Sequence, residues 1–108
     1  MSPAKPIGVL VVDDSAFMRH VLAREIGSDE TIEVVGTARD GEDALVQIEA
    51  LNPDVVTLDV EMPRMDGLTA LRFIMERYPR PVLMLSSLTQ EGSRTTMQAL
   101  ELGAVDFV

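Results

Sequence analysis

Short apolar runs recur along this chain at nearly even intervals, and this rhythm limits the possible fold more than any other feature. The runs begin near residues 7, 32, 54, 82 and 105, so successive starts are 22 to 28 residues apart. Each interval has room for one strand, one helix and two loops. Repeated strand–helix units favour a parallel sheet with helices on both faces. We therefore predict an α/β domain with a doubly wound sheet.

Local residue types indicate where each element begins and ends. Ser15 and Asp40 are good helix N-caps, and Pro53 and Gly103 are expected to end helices. Residues 1–6 are interpreted as a loose leader and 7–108 as the folded domain. The predicted strands are Ile7–Val12, Ile32–Thr37, Val55–Leu58, Val82–Leu85 and Ala104–Val108. The predicted helices follow Ser15 and Asp40 and cover Gly67–Tyr78 and 91–102.

Two of the predicted strands end in acidic residues. Asp13 and Asp14 follow the first strand, and Asp59 ends the third. Ligands bind at the carboxyl edge of open parallel sheets, and the flavodoxin-like order 2-1-3-4-5 makes strands one and three neighbours. We infer this order because it brings the acids together. Three close carboxylates repel one another unless a cation joins them, and oxygen ligands suit Mg2+. One carboxylate would then be available as a nucleophile toward phosphorus.

The composition excludes several classes of protein. Hydrophobic residues make up 46% and charged residues 25%, which is typical of a globular domain. The net charge of -9 argues against binding to nucleic acid or to an anionic membrane surface. There is no cysteine and a single histidine, so thiolate and histidine metal sites are excluded. No apolar stretch reaches the length of about 20 residues that spans a membrane, and no signal peptide is visible. We expect a cytoplasmic location and no membrane insertion.

Four stretches of the sequence resemble the receiver domain of two-component response regulators. They are Val11–Ser15, Leu58–Gly67, Met84–Ser87 and Gly103–Phe107. Within that family the chain is most similar to the N-terminal receiver of chemotaxis protein-glutamate methylesterases. The stretches that suggest this are Asp59–Pro63, Ser86–Thr89 and Ala99–Val108.

The resemblance implies a role for each acidic residue. Asp59 matches the phosphoacceptor, which takes a phosphoryl group from a phosphohistidine on a histidine kinase. Asp14 matches the direct Mg2+ ligand, and Asp13 matches the neighbour that acts on the ion mainly through water. The backbone carbonyl of Glu61 would complete the protein's ligands. A purely structural role is the alternative, since Asp13 and Asp14 also suit the start of a helix.

Two further residues match the switch of the family. Ser86 corresponds to the hydroxyl that hydrogen-bonds a phosphoryl oxygen, and Phe107 corresponds to the aromatic residue that changes rotamer in response. The alternatives are a turn serine and a core phenylalanine. Pro63 and Gly67 are interpreted as structural, with Pro63 restricting the loop and Gly67 permitting a turn.

The chain also departs from the family pattern. Receivers have a lysine just after the fifth strand, whereas the single lysine here is Lys5 and the sequence ends at Val108. A fifth helix and an esterase domain are not present in this sequence. We therefore expect a C-terminally incomplete receiver that is phosphorylated weakly. We also expect it to self-associate through an uncovered face of strands four and five.

The leading functional hypothesis is a regulatory phosphoacceptor domain of a chemotaxis response regulator. Its phosphorylation would control a C-terminal methylesterase effector domain, while the chain alone would catalyse nothing beyond its own phosphorylation and dephosphorylation. A stand-alone receiver that acts as a phosphorylation-gated binding module is the alternative. A small hydrolase that uses Asp59 and Glu61 as nucleophile and acid is a third hypothesis, and turnover of phosphate esters would identify it.

Overall fold

The strands form one parallel five-stranded sheet in the order β2-β1-β3-β4-β5. The computed structural model describes residues 5–85 and 94–108, without the side chains of Thr95 and Phe107. The strands are β1 (Ile7–Val12), β2 (Ile32–Ala38), β3 (Val55–Asp59), β4 (Val82–Leu85) and β5 (Asp106–Phe107). The helices are α1 (Ala16–Ile26), α2 (Gly41–Leu51), α3 (Gly67–Arg77) and α4 (Arg94–Leu102). The predicted doubly wound, flavodoxin-like order is confirmed.

The observed boundaries lie close to the predicted ones. Strands β1 and β4 match their predictions, and β2 and β3 are each one residue longer. Strand β5 has two residues where five were predicted, although the amides of Val105 and Val108 on either side of it also donate to β4, to Val82 O and Met84 O. Residues 91–93, predicted as the start of the fourth helix, lie outside the described residues.

The strand register places the acid-bearing ends side by side. In β1 and β3, Val12 is paired with Leu58, so the residues that follow them emerge together at the carboxyl edge. On the other side of β3, Asp59 is paired with Leu85 of β4. The amide of Val60 donates a hydrogen bond of 3.1 Å to the carbonyl oxygen of Leu85. The centre of the carboxyl edge is therefore held by backbone pairing on both sides.

The main hydrophobic core lies between one face of the sheet and helices α2, α3 and α4. Alternate strand residues point into it, as the period of two requires. The strands contribute Leu10, Val12, Val56, Leu58, Val82 and Met84, and the helices contribute Ala44, Ile48, Ala70, Leu71, Ile74 and Ala99. Helix α1, on which the structure finds no buried residue, is packed less deeply. Phe17, in the first turn of α1, is 73% exposed.

Three helices begin with a side-chain cap. The hydroxyl of Ser15 accepts from Met18 N, Asp40 accepts from Asp43 N, and Asp66 accepts from Thr69 N, at 3.2, 2.8 and 2.8 Å respectively. These caps replace hydrogen bonds that the first turn of a helix otherwise lacks. At the other end, α2 stops at Asn52, whose left-handed conformation precedes Pro53. Among the described helices, none is long and apolar enough to cross a membrane.

Candidate functional site

Three carboxylates meet at the carboxyl edge of the sheet, where β1 and β3 end. Asp13, Asp14 and Asp59 each offer an oxygen atom, and these atoms all lie within 4.8 Å of one another. Asp13 is buried, Asp59 is half-buried and Asp14 is exposed. The structure thus brings together the three acids that the sequence placed at strand ends.

Asp13 is held in a fixed position by its neighbours. Its amide donates to Ala38 O at 3.0 Å, and its carboxylate accepts from Ser15 N at 2.9 Å. The guanidinium of Arg19 donates to the backbone oxygen of Asp13 at 2.8 Å. Burial raises the pKa of Asp13, the Ser15 hydrogen bond opposes this, and the charge of Asp14 adds to the increase.

Asp59 is the most perturbed acid of the three. Burial and then the negative charges of Asp13 and Asp14 raise its pKa from 3.8 to about 6. A hydrogen bond from the backbone of Glu61 lowers the pKa and offsets part of this effect. The carboxylate form of Asp59 is therefore destabilised unless positive charge is brought close to it.

This donor set fits a hard divalent cation. All three side chains supply carboxylate oxygens, the ligand type that Mg2+ and Ca2+ prefer. The mutual repulsion that raises the pKa of Asp59 would be relieved by a bound cation. The chemistry of the site is thus that of an acidic cluster suited to a metal.

An open cleft lies above the three acids. Its walls include Glu61 on the acidic side, and Met18, Leu22 and Leu85 on the apolar side. Glu61 is exposed and lies in the loop that follows β3. A small solute is therefore able to reach Asp59 from solvent.

Gly67 closes the loop after β3. Its amide donates to Val60 O at 2.8 Å, and a Cβ atom at this position would overlap with the carbonyl group of Asp59. The requirement for glycine is thus close approach to the backbone, and not the backbone freedom that was expected. The loop residue with a positive φ is Arg64, at 67°.

Two arginines near the site were missed by the sequence reasoning. Arg19 contacts Asp13, and Arg64 forms an ion pair of 2.9 Å with Asp40. Their partners are six and twenty-four residues away in the chain, and no motif marks the pairs.

The two predicted switch residues are not described in full. Ser86 lies outside the described residues. Phe107 belongs to β5, where its backbone is paired with Met84, but its side chain lies outside the description. Both roles stay predictions.

Residues 9–108 match the family described as the response regulator receiver domain. The chain therefore belongs to the response regulator receiver domain family. It is 66% identical over 102 residues to a protein-glutamate methylesterase/protein-glutamine glutaminase 2 of Nitratidesulfovibrio vulgaris. That match covers 94% of this chain and 28% of the relative, so the chain spans less than a third of the relative's length.

Solved structures give the same result. The response regulator domain of Thermotoga maritima CheB is 52% identical, with a TM-score of 0.93, and the match covers 96% of this chain and 78% of that one. The crystal structure of the P1 domain of CheA3 in complex with CheY6, from R. sphaeroides, contains a chain that is 39% identical to this one, with a TM-score of 0.81. It covers 97% of this chain and 82% of that one. The predicted resemblance to CheB-type chemotaxis receivers is confirmed.

Proposed function

We propose that this domain accepts a phosphoryl group on Asp59, with Mg2+ bound by Asp13, Asp14, Asp59 and the backbone carbonyl of Glu61. The observation that carries the proposal is the convergence of three carboxylate oxygens within 4.8 Å at the end of two neighbouring strands. Such a cluster is unfavourable without a cation and favourable with one. The bound ion would supply charge neutralisation for the phosphoryl oxygens.

Asp59 is suited to act as the nucleophile. With a pKa of about 6 it is mostly ionised at neutral pH, so a carboxylate oxygen is available to attack phosphorus. A new bond forms between that oxygen and phosphorus, and the bond from phosphorus to the donor breaks. For a phosphohistidine donor the leaving group is an imidazole, which takes up a proton. Phosphoryl transfer depends mainly on positioning and charge, so a small open site is sufficient.

Ser86 and Phe107 complete the proposed switch. The Ser86 hydroxyl would donate to a phosphoryl oxygen, and the Phe107 side chain would change rotamer in response. Residues 7–108 would act as a single receiver domain in this scheme.

The proposed donor is a chemotaxis-type histidine kinase. The match to a CheY6 chain in complex with the P1 domain of CheA3 supports this class of partner. The proposed output is control of a methylesterase effector, supported by the names of the similar proteins. Phosphorylation would shift the population of two conformations, and the effector would respond to that shift. Such a system operates in the cytoplasm.

The test is the intact mass of the chain after incubation with acetyl phosphate and Mg2+. We expect one phosphoryl adduct on the wild type and none on Asp59→Asn. Asp54→Asn is the matched control, because it makes the same chemical change at the opposite edge of the sheet, where Asp54 accepts from Gly8 N. An adduct that persists in Asp59→Asn would contradict the proposal. The absence of any adduct on the wild type would also contradict it.

A further inference from the structure

Arg64 has a backbone conformation that residues other than glycine rarely adopt. Its φ is 67°, and the amide of Met65 donates across it to Pro63 O at 2.8 Å. Three-residue turns of this hand are rare and strained. Glycine would adopt the same conformation without a steric penalty. A contribution from the arginine side chain would offset this cost.

That contribution is an ion pair with a buried acid. The Arg64 guanidinium lies 2.9 Å from Asp40, whose side chain is 5% exposed. The other carboxylate oxygen of Asp40 accepts from Asp43 N at 2.8 Å. One carboxylate therefore both caps α2 and holds the loop that follows β3.

The ion pair joins the two sides of the acidic cluster. Asp40 lies two residues after Ala38, whose carbonyl oxygen accepts from the amide of Asp13 at 3.0 Å. Arg64 lies five residues after Asp59. The pair thus connects the segment bonded to Asp13 with the loop that leaves Asp59.

Close packing reinforces this connection. Met65, next to Arg64, lies so close to Gly41 that a Cβ atom on Gly41 would be 2.9 Å from the Met65 side chain. Gly67, at the other end of the loop, lies against the backbone of Asp59. A shift of the loop relative to α2 would therefore be passed to Asp59.

We propose that the Asp40–Arg64 ion pair is a positioning pair that sets the spacing between Asp59 and Asp13 and thereby the affinity of the acidic cluster for a divalent cation. This inference rests on the proposed function, since it takes the cluster to bind Mg2+. Residues that orient metal ligands from outside the coordination sphere contribute strongly to affinity.

The test compares Mg2+ affinity with stability in three variants. Arg64→Gly removes the ion pair and also the strained backbone, so its stability should be close to that of the wild type. Asp40→Asn keeps the helix cap but removes the charge. Both should bind Mg2+ about tenfold more weakly, by analogy with other residues that orient metal ligands. Arg64→Lys keeps a cation and should recover most of the affinity.

The measurements are a Mg2+ titration followed by amide chemical shifts and a denaturant titration of the same samples. Asp54→Asn is the control for loss of an acid far from the cluster, and it should bind Mg2+ as the wild type does. The double variant of Asp40→Asn with Arg64→Gly should bind no more weakly than either single variant, because both remove the same interaction.

The outcomes separate this inference from the proposed function. Wild-type protein that binds Mg2+ and is phosphorylated, with Arg64→Gly and Asp40→Asn equally tight binders, would overturn the positioning role alone. Wild-type protein that binds no Mg2+ would overturn the proposed function and the positioning role with it. Weaker Mg2+ binding in both variants, with Arg64→Gly as stable as the wild type, would support the inference, because a merely structural pair would change stability without changing Mg2+ affinity.

Discussion

Replacement of Asp59 by asparagine should stabilise the metal-free domain at neutral pH. In the folded protein the pKa of Asp59 is raised to about 6, mainly by burial and then by the charges of Asp13 and Asp14. In the unfolded chain its pKa returns to the ordinary value of 3.8. The folded state thus binds a proton more tightly than the unfolded state does, and folding is penalised when Asp59 is ionised.

The free energy of unfolding should decrease as the pH rises through the range in which Asp59 titrates. At a pH well below 3.8 Asp59 is protonated in both states, and it imposes no penalty. As the pH rises toward about 6, the unfolded chain has lost the proton while the folded protein still resists its loss, so the free energy of unfolding decreases. Above that range the penalty is complete and constant.

The two pKa values of Asp59 also set the size of the expected stabilisation. An increase in pKa from 3.8 to about 6 corresponds to roughly 3 kcal/mol before solvent screening, at about 1.4 kcal/mol per pKa unit. Asp59 is half-buried beside an open cleft, so screening should reduce this to about 1 to 2 kcal/mol. For a domain of this size that corresponds to an increase in Tm of roughly 4 to 16 °C.

The assay is thermal and denaturant unfolding of wild type and Asp59→Asn in a chelator, at pH 7.5 and pH 4. Far-UV circular dichroism is the suitable signal, because the chain has no tryptophan and one tyrosine. The stability difference should be complete at pH 7.5 and much smaller at pH 4. Added Mg2+ should stabilise the wild type more than the variant. A less stable Asp59→Asn at pH 7.5, or a difference independent of pH, would refute the reasoning.

Three further predictions concern packing and association. Gly67→Ala should destabilise the fold by about 3 kcal/mol in a denaturant titration, because its Cβ would meet the backbone at the end of β3. Gly36→Ala is the control and should destabilise the fold less, because its Cβ would meet only the flexible end of a side chain. Thr57→Val should stabilise by about 1 kcal/mol, since the Thr57 hydroxyl is buried with no hydrogen-bond partner among the described residues; an unchanged denaturation midpoint would count against this. Exposed Val105 and Val108 near β4 and β5 should promote self-association, measured as a concentration-dependent sedimentation coefficient, and a clean monomer at high concentration would contradict it.

The strand–helix rhythm and the acids at strand ends predicted most of the fold and the centre of the site. Continuous apolar runs such as Ile7–Val12 report burial on both faces of a sheet, and that property depends little on tertiary detail. The order 2-1-3-4-5 was predicted because it makes the strands that end at Asp13 and Asp59 neighbours. The strand predictions depend on local apolar patterns, and the strand order depends on the expectation that a cation joins the three carboxylates.

Other features depend on contacts that a sequence does not display. The ion pair of Arg64 with Asp40 joins residues far apart in the chain, and an arginine gives no local sign of a positive φ. Gly67 was expected for its flexibility and is needed for its lack of a side chain.

The hydrogen bond from Val60 N to Leu85 O shortens the path for communication within the domain. Val60 directly follows the proposed acceptor, and Leu85 directly precedes Ser86. A change in the backbone of Asp59 thus has one peptide hydrogen bond to cross before it reaches the residue beside Ser86. Such a change would travel along the carboxyl edge of the sheet, and the close-packed hydrophobic core would not have to rearrange.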